Sequence, residues 1–127
     1  MRYAPLIAAL LGFSGVALGA FGAHGLKASV SEEWLAVWGT AVSYQMYHSP
    51  LILLMPFLSG ISEYWRKLAM RFFILGVLVF SGSLYLLVIL PLPALGMVTP
   101  VGGVMLLLGW LCLLVATVKG AKSMTLN

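Results

Sequence analysis

The chain has 127 residues, 62% of them hydrophobic and 8% charged, with seven Lys and Arg against three Asp and Glu and a formal charge of +4. Its mean hydropathy is +1.09. Soluble domains carry about a quarter charged residues, so this composition excludes an ordinary soluble surface and leaves room for one helical unit.

Four stretches without Lys, Arg, Asp or Glu follow one another. Each has the length, about 18 residues or more, that an α-helix needs to cross a hydrocarbon core of about 30 Å. The first covers residues 3–23. Arg2 and the small residues near Ala20 imitate a signal peptide, but the run exceeds the usual apolar core of about 7–15 residues. The bulky Leu18 and Phe21 also stand where a signal peptidase wants small side chains before Ala20 and Ala23, so a retained helix is predicted. Gly12, Gly15, Gly19 and Gly22 follow three- and four-residue steps along one side of it, with a GxxxG pair at Gly15 and Gly19. Such a face lets backbones approach closely in lipid, either inside one bundle or across a homodimer seam.

The second span covers residues 41–60, with an outer extension from about residue 30. Ser29 and Glu32 have capping-box spacing, and Glu32 and Glu33 suit the positive end of a helix dipole. Trp34 and Trp38 lie a turn apart at headgroup depth, and Pro50 and Pro56 predict bends. The third span covers residues 72–90, and Pro91, Pro93 and Gly96 make a rigid, uncharged connection after it. The fourth covers residues 100–118, with Thr99 as N-cap, Pro100 at the first helical position and a weaker small-residue stripe of Gly102, Gly109 and Ala116.

Four spans place Arg2, Arg66, Lys67, Arg71, Lys119 and Lys122 on one membrane face. The other face holds Lys27 with Glu32 and Glu33. The excess of basic residues on one side predicts that both termini are cytoplasmic. Residues 1–127 then form a single all-α domain, a four-transmembrane-helix bundle. Because the basic residues flank spans instead of forming a stripe, the lipid bilayer is the expected partner and nucleic acid is not.

Gln45 and His48 share one face of the second helix. Counted at about 1.5 Å per residue from the cytoplasmic ends, they lie level with Ser81 and Tyr85 near the midplane, and Ser83 falls between those two in sequence. Two readings compete for Gln45, His48, Ser81, Ser83 and Tyr85. One is a satisfied polar cluster that locks helix register; the other is a site for a small molecule, ion or proton. His24, at the outer end of the first helix, reads as an interfacial residue, with a haem or copper site shared by His24 and His48 as the minority alternative. No metal site or cofactor is predicted. Cys112 is the single cysteine and lies in an apolar run, which rules out an internal disulfide. The chain contains no Asp, and its three Glu lie outside the spans, so no catalytic triad and no enzyme is predicted.

Four blocks recur through these elements: Gly19-Ala20-Phe21-Gly22-Ala23-His24-Gly25; Tyr44-Gln45 with His48; Phe80-Ser81-Gly82-Ser83-Leu84-Tyr85; and Thr99-Pro100 with Gly102-Gly103 and Gly109-Trp110. In this order and spacing the chain resembles the YgdD-like small bacterial inner-membrane proteins, a family of unknown function with eukaryotic small transmembrane relatives. The resemblance covers roughly residues 12–110. It implies a multi-pass protein of the bacterial inner membrane with four helices, and it supplies no activity, substrate or catalytic residue. The resulting expectation is an accessory or interaction protein that self-associates as a homo-oligomer or joins a larger membrane complex.

Overall fold

The computed structural model describes residues 1–125. These residues contain no strand and form four α-helices, α1 (Ala4–His24), α2 (Glu32–Leu54), α3 (Glu63–Ile89) and α4 (Leu95–Thr125), with tight 3-10 turns at Leu26–Ala28 and Met55–Phe57. Three segments, Ala4–Ala28, Glu63–Ile89 and Leu95–Thr125, are long and apolar enough to cross a membrane. The 23-residue α2 has the length but not the hydropathy, because Thr40, Ser43, Gln45, His48 and Ser49 interrupt its apolar sequence.

Several helix ends differ from the sequence expectation. The capping residue of α2 is Ser31, in extended backbone, whose hydroxyl accepts from the Trp34 amide at 3.3 Å. Ser29 instead closes the preceding tight turn by donating its amide to Leu26, so no capping box forms with Glu32. Pro50 sits within a continuous α2, whereas Pro56 lies in the turn after it, so the helix stops at Leu54 and not near Gly60. Gly60 takes φ +72°, a left-handed conformation that suits glycine.

The third and fourth helices each start earlier than their apolar runs. Charge-free sequence marks hydrocarbon, and α3 continues beyond it through Arg71, Lys67 and Arg66. Thr99 and Pro100 do not open α4: Pro100 is the sixth residue of a helix that begins at Leu95, and Gly96 is already helical. So close to a helix start, the missing proline N–H removes only one early bond, to the Gly96 carbonyl.

The helices pack in sequence, α1 on α2, α2 on α3, and most extensively α3 on α4. The α3–α4 seam is antiparallel: Phe80 meets Gly102, Gly76 meets Leu106 and Phe73 meets Gly109. Lipid tails are as apolar as leucine, so such small-residue contacts replace the hydrophobic drive that operates in water. All four helices converge in one apolar core, where Ala8 and Leu11, Ile52 and Met55, Phe73 and Val77, and Leu106 and Cys112 pack together. Near the chain ends, the Ser62 amide donates to the Ala116 carbonyl at 3.0 Å. Gly120 permits that approach, because a Cβ there would collide with the Gly60 carbonyl.

The four glycines of α1 face α2, with Gly12 against Ser49, Gly15 against Met46, Gly19 against Val42 and Gly22 against Trp38. That face therefore packs within the chain, the first of the two uses expected for it.

Gly102→Ala places a methyl group against the Phe80 backbone, whereas Gly82→Ala and Gly39→Ala meet nothing within 4 Å. Thermal unfolding in detergent is expected to show Gly102→Ala destabilised by about 1–3 kcal/mol. The other two variants should be neutral or slightly stabilised; equal behaviour of all three would contradict the α3–α4 register.

Candidate functional site

Along α2 the inward positions are Trp38, Ala41, Gln45, His48, Ser49 and Ile52, all buried, at the three- and four-residue steps of one helical stripe. Four of these carry polar side-chain atoms. Helical geometry alone aims them at α1, α3 and α4, and in a dry interior each needs a partner.

Gln45 connects three helices. Its Nε2 donates to the Leu11 carbonyl and to Ser14 Oγ of α1, both at 2.8 Å, and its Oε1 accepts from the Tyr85 hydroxyl of α3 at 2.7 Å. The Ser14 hydroxyl in turn donates to the Leu10 carbonyl at 2.7 Å. The Ser49 hydroxyl donates to the Ala8 carbonyl at 2.7 Å, and Trp38 Nε1 donates to the Leu18 carbonyl at 2.8 Å. From α3, Ser81 donates to the Ala41 carbonyl at 2.7 Å. Ser83 turns the other way, pairing with Thr99 of α4 at 2.6 Å.

His48 lies 4% exposed among Tyr44, Phe73 and Trp110. Its Nδ1 is 2.7 Å from the Tyr44 carbonyl, which only accepts, so Nδ1 carries the proton. Its Nε2 is then the acceptor, and Trp110 Nε1, which only donates, lies 3.2 Å away. Both ring nitrogens are thus engaged. A metal at Nε2 would first have to displace the indole.

The candidates Gln45 and His48 lie only three positions apart on α2, but the inward polar groups extend beyond them. From Trp38 to Ser49 they span eleven positions of α2, or about 16 Å of helix rise. Of the sequence candidates, Gln45 and Tyr85 meet directly, while Ser81, Ser83 and His48 each bond a different partner along this staircase. His24 stays apart. It is exposed at the end of α1, two residues beyond the contact between Gly22 and Trp38. Along the antiparallel α1–α2 pair this puts it level with about Ala36, roughly 18 Å of helix rise from His48. The two histidines cannot share a metal or a haem iron, and the described residues hold no cluster of three His, Cys, Asp or Glu suited to a metal ion.

Trp110, Thr99 and Ser49 are site residues that sequence reasoning leaves out. Trp110 offered a signal, since an indole in mid-span is away from its usual interfacial belt and needs an acceptor for its N–H. Space at the site is limited. The cleft beside Gln45 and Tyr85 holds about 180 Å³, below the range of about 300–1,000 Å³ usual for ligand pockets. A larger, largely apolar groove of about 520 Å³ runs between α2 and α4, beside Tyr44, His48, Phe80 and Trp110.

The family model described as Protein of unknown function (DUF423) matches residues 18–103. A UPF0382 membrane protein of Staphylococcus aureus (strain bovine RF122 / ET3-1) is 40% identical over 121 residues, covering 95% of this chain and 99% of that protein. The UPF0382 membrane protein YwdK of Bacillus subtilis is 38% identical over 127 residues, covering 94% and 98%. No solved structure matches the chain. The relatives' description and the three apolar helices together make this a multi-pass membrane protein, in agreement with the small-membrane-protein resemblance carried by its motifs.

Interhelical hydrogen bonds in membranes average about 0.6 kcal/mol, with a maximum near 1.7. Tyr85→Phe is expected to fall within that range, and Gln45→Leu to cost about 1–3 kcal/mol because it also orphans the Tyr85 hydroxyl. A double-mutant cycle on the pair, read by unfolding in mixed micelles, should show a non-zero coupling. Strict additivity would mean that the bond does not hold α2 to α3.

Proposed function

The chain belongs to the family of proteins of unknown function termed DUF423, and from that premise we propose that it is a non-enzymatic, four-span accessory protein of the bacterial cytoplasmic membrane, with both termini in the cytoplasm. The observation that carries this reading is the occupation of the polar interior. Gln45, His48, Ser49, Ser81, Ser83 and Tyr85 each bond a group on another helix of the same chain. A transport or proton-relay site needs polar groups free to exchange partners, and these are spent on holding helices in register. The antiparallel order α1 to α4 supports α2 as the fourth span, since it carries its polar residues on the face turned to the bundle. The six-to-one split of basic residues between the two ends supports cytoplasmic termini.

The small-residue faces of α1 and α4 are used inside the chain, so a membrane partner would meet the outer surfaces instead. Phe13 on α1 and Leu107 on α4 stand out from the bundle there. A second reading, binding of a small apolar molecule beside His48, draws on the α2–α4 groove alone.

Topology is tested with single cysteines in a Cys112→Ala background, using an impermeant maleimide on intact cells. Ser29→Cys is expected to label from outside, and Arg2→Cys and Ser123→Cys only after permeabilisation. Labelling of Arg2→Cys and Ser123→Cys from opposite sides would leave three spans and refute the proposal. The purified protein is expected to be colourless and metal-free. A stoichiometric chromophore or metal signal that disappears in His48→Ala would overturn the accessory reading in favour of a ligand site.

A further inference from the structure

The antiparallel order of the helices brings one end of α1, α3 and α4 together at the loop between α2 and α3. That end carries Arg2, Arg66, Lys67, Arg71, Lys119 and Lys122. Its one acidic side chain, Glu63, is already paired with Lys67 at 2.6 Å. A charge excess of this kind cannot be neutralised from within the protein, and long basic side chains at a membrane surface turn toward phosphate.

Three details make the end more than a collection of loose charges. First, Arg66 is fixed in place. Its Nη1 donates to the carbonyls of Leu58 and Pro56, which lie just past the end of α2, while its Nε is buried without a partner. Its charge is therefore held at this end of the bundle by the backbone that follows α2. Second, Lys119 lies 5.4 Å from the centre of the Trp65 ring and borders a cleft of about 400 Å³ formed with Gly60, Ser62, Gly120 and Ser123. Third, exposed Tyr3 and Tyr64 and half-buried Trp65 ring the same end, the residue types that settle at headgroup depth. Fixed cations, hydroxyls and interfacial aromatics are what an anionic glycerophospholipid headgroup would meet.

We propose that the basic end of the bundle is a docking surface for anionic phospholipid headgroups, with Lys119 and the cleft beside it as the principal contact. The phosphodiester charge is met by Lys119 and its neighbouring cations, the hydroxyls of Ser62 and Ser123 are at hand for headgroup oxygens, and the acyl chains run along the bundle. This goes beyond the accessory role, because it holds whichever protein partner the chain serves.

The test uses the full-length protein in zwitterionic nanodiscs, with thermal unfolding followed as phosphatidylglycerol or phosphatidylcholine is added. Phosphatidylglycerol is expected to raise the unfolding temperature, phosphatidylcholine to leave it unchanged, and high salt to diminish the difference. Lys119→Gln and Lys122→Gln should each weaken the apparent lipid affinity by roughly fivefold, and Lys27→Gln at the opposite end should not. Equal stabilisation by both lipids would overturn the proposal. So would the same shift with inorganic phosphate alone, or equal losses from Lys27→Gln and Lys119→Gln. Lys119 and Lys122 are both exposed, so these variants probe the lipid contact without disturbing the core.

Discussion

A polar side chain in a dry, apolar interior must find its partner within the protein, and in this bundle that requirement falls on α2. Gln45 shows how it is met. One amide reaches a carbonyl and a hydroxyl on α1 and a phenol on α3, so a single side chain fixes the relative height of three helices. Ser49 and Trp38 pin α2 to α1 below and above Gln45, and Ser81 pins it to α3. Each bond is weak. Together they set register, since sliding any helix by one turn would leave several groups unsatisfied at once.

The bundle divides along its axis into two kinds of packing. Toward the chain ends lies the apolar core, centred on Ile52, Met55, Phe73 and Leu106. Farther along, the hydrogen-bonded pairs take over, ending at Trp38, whose ring meets Phe21 and Tyr85 edge-on. The pair of α3 and α4 depends least on polar bonds. Gly76, Gly102 and Gly109 let the two helices approach closely over most of their length, and Ser83 with Thr99 adds one polar link. One half of the protein is thus held by shape and the other by donors and acceptors.

How much of this the sequence revealed depends on what each signal measures. Charge-free runs locate hydrocarbon, so α1, α3 and α4 were legible as membrane helices, and α1 to within a residue at each end, while the start of α3 was not: Arg66, Lys67 and Arg71 are helical residues outside the apolar run. Thr99 and Pro100 matched a start signal, yet a proline near a helix start costs so little that α4 begins at Leu95 regardless. The inward face of α2 was legible because Gln45 and His48 obey helical spacing. Their partners were not, since most are backbone carbonyls whose availability depends on register. The indole of Trp110 lies sixty-two residues from His48, and no local pattern connects them. His24 was legible as a residue of the outer helix end, where the structure places it; the antiparallel α1–α2 register sets aside only the minority alternative of a site shared with His48.

The modest hydropathy of α2 has a consequence for how the protein is made. Exposed to lipid on its own, the segment would present an amide, an imidazole and several hydroxyls, so it is a poor candidate for leaving a translocation channel as a single helix. Its acceptors on α1 are synthesised first, but Tyr85, Ser81 and Trp110 emerge later. A hairpin of α1 and α2 alone would therefore leave part of this polar face without its partners. If α2 spans the membrane as proposed, its insertion is cooperative with that of the third and fourth helices, which carry the remaining partners.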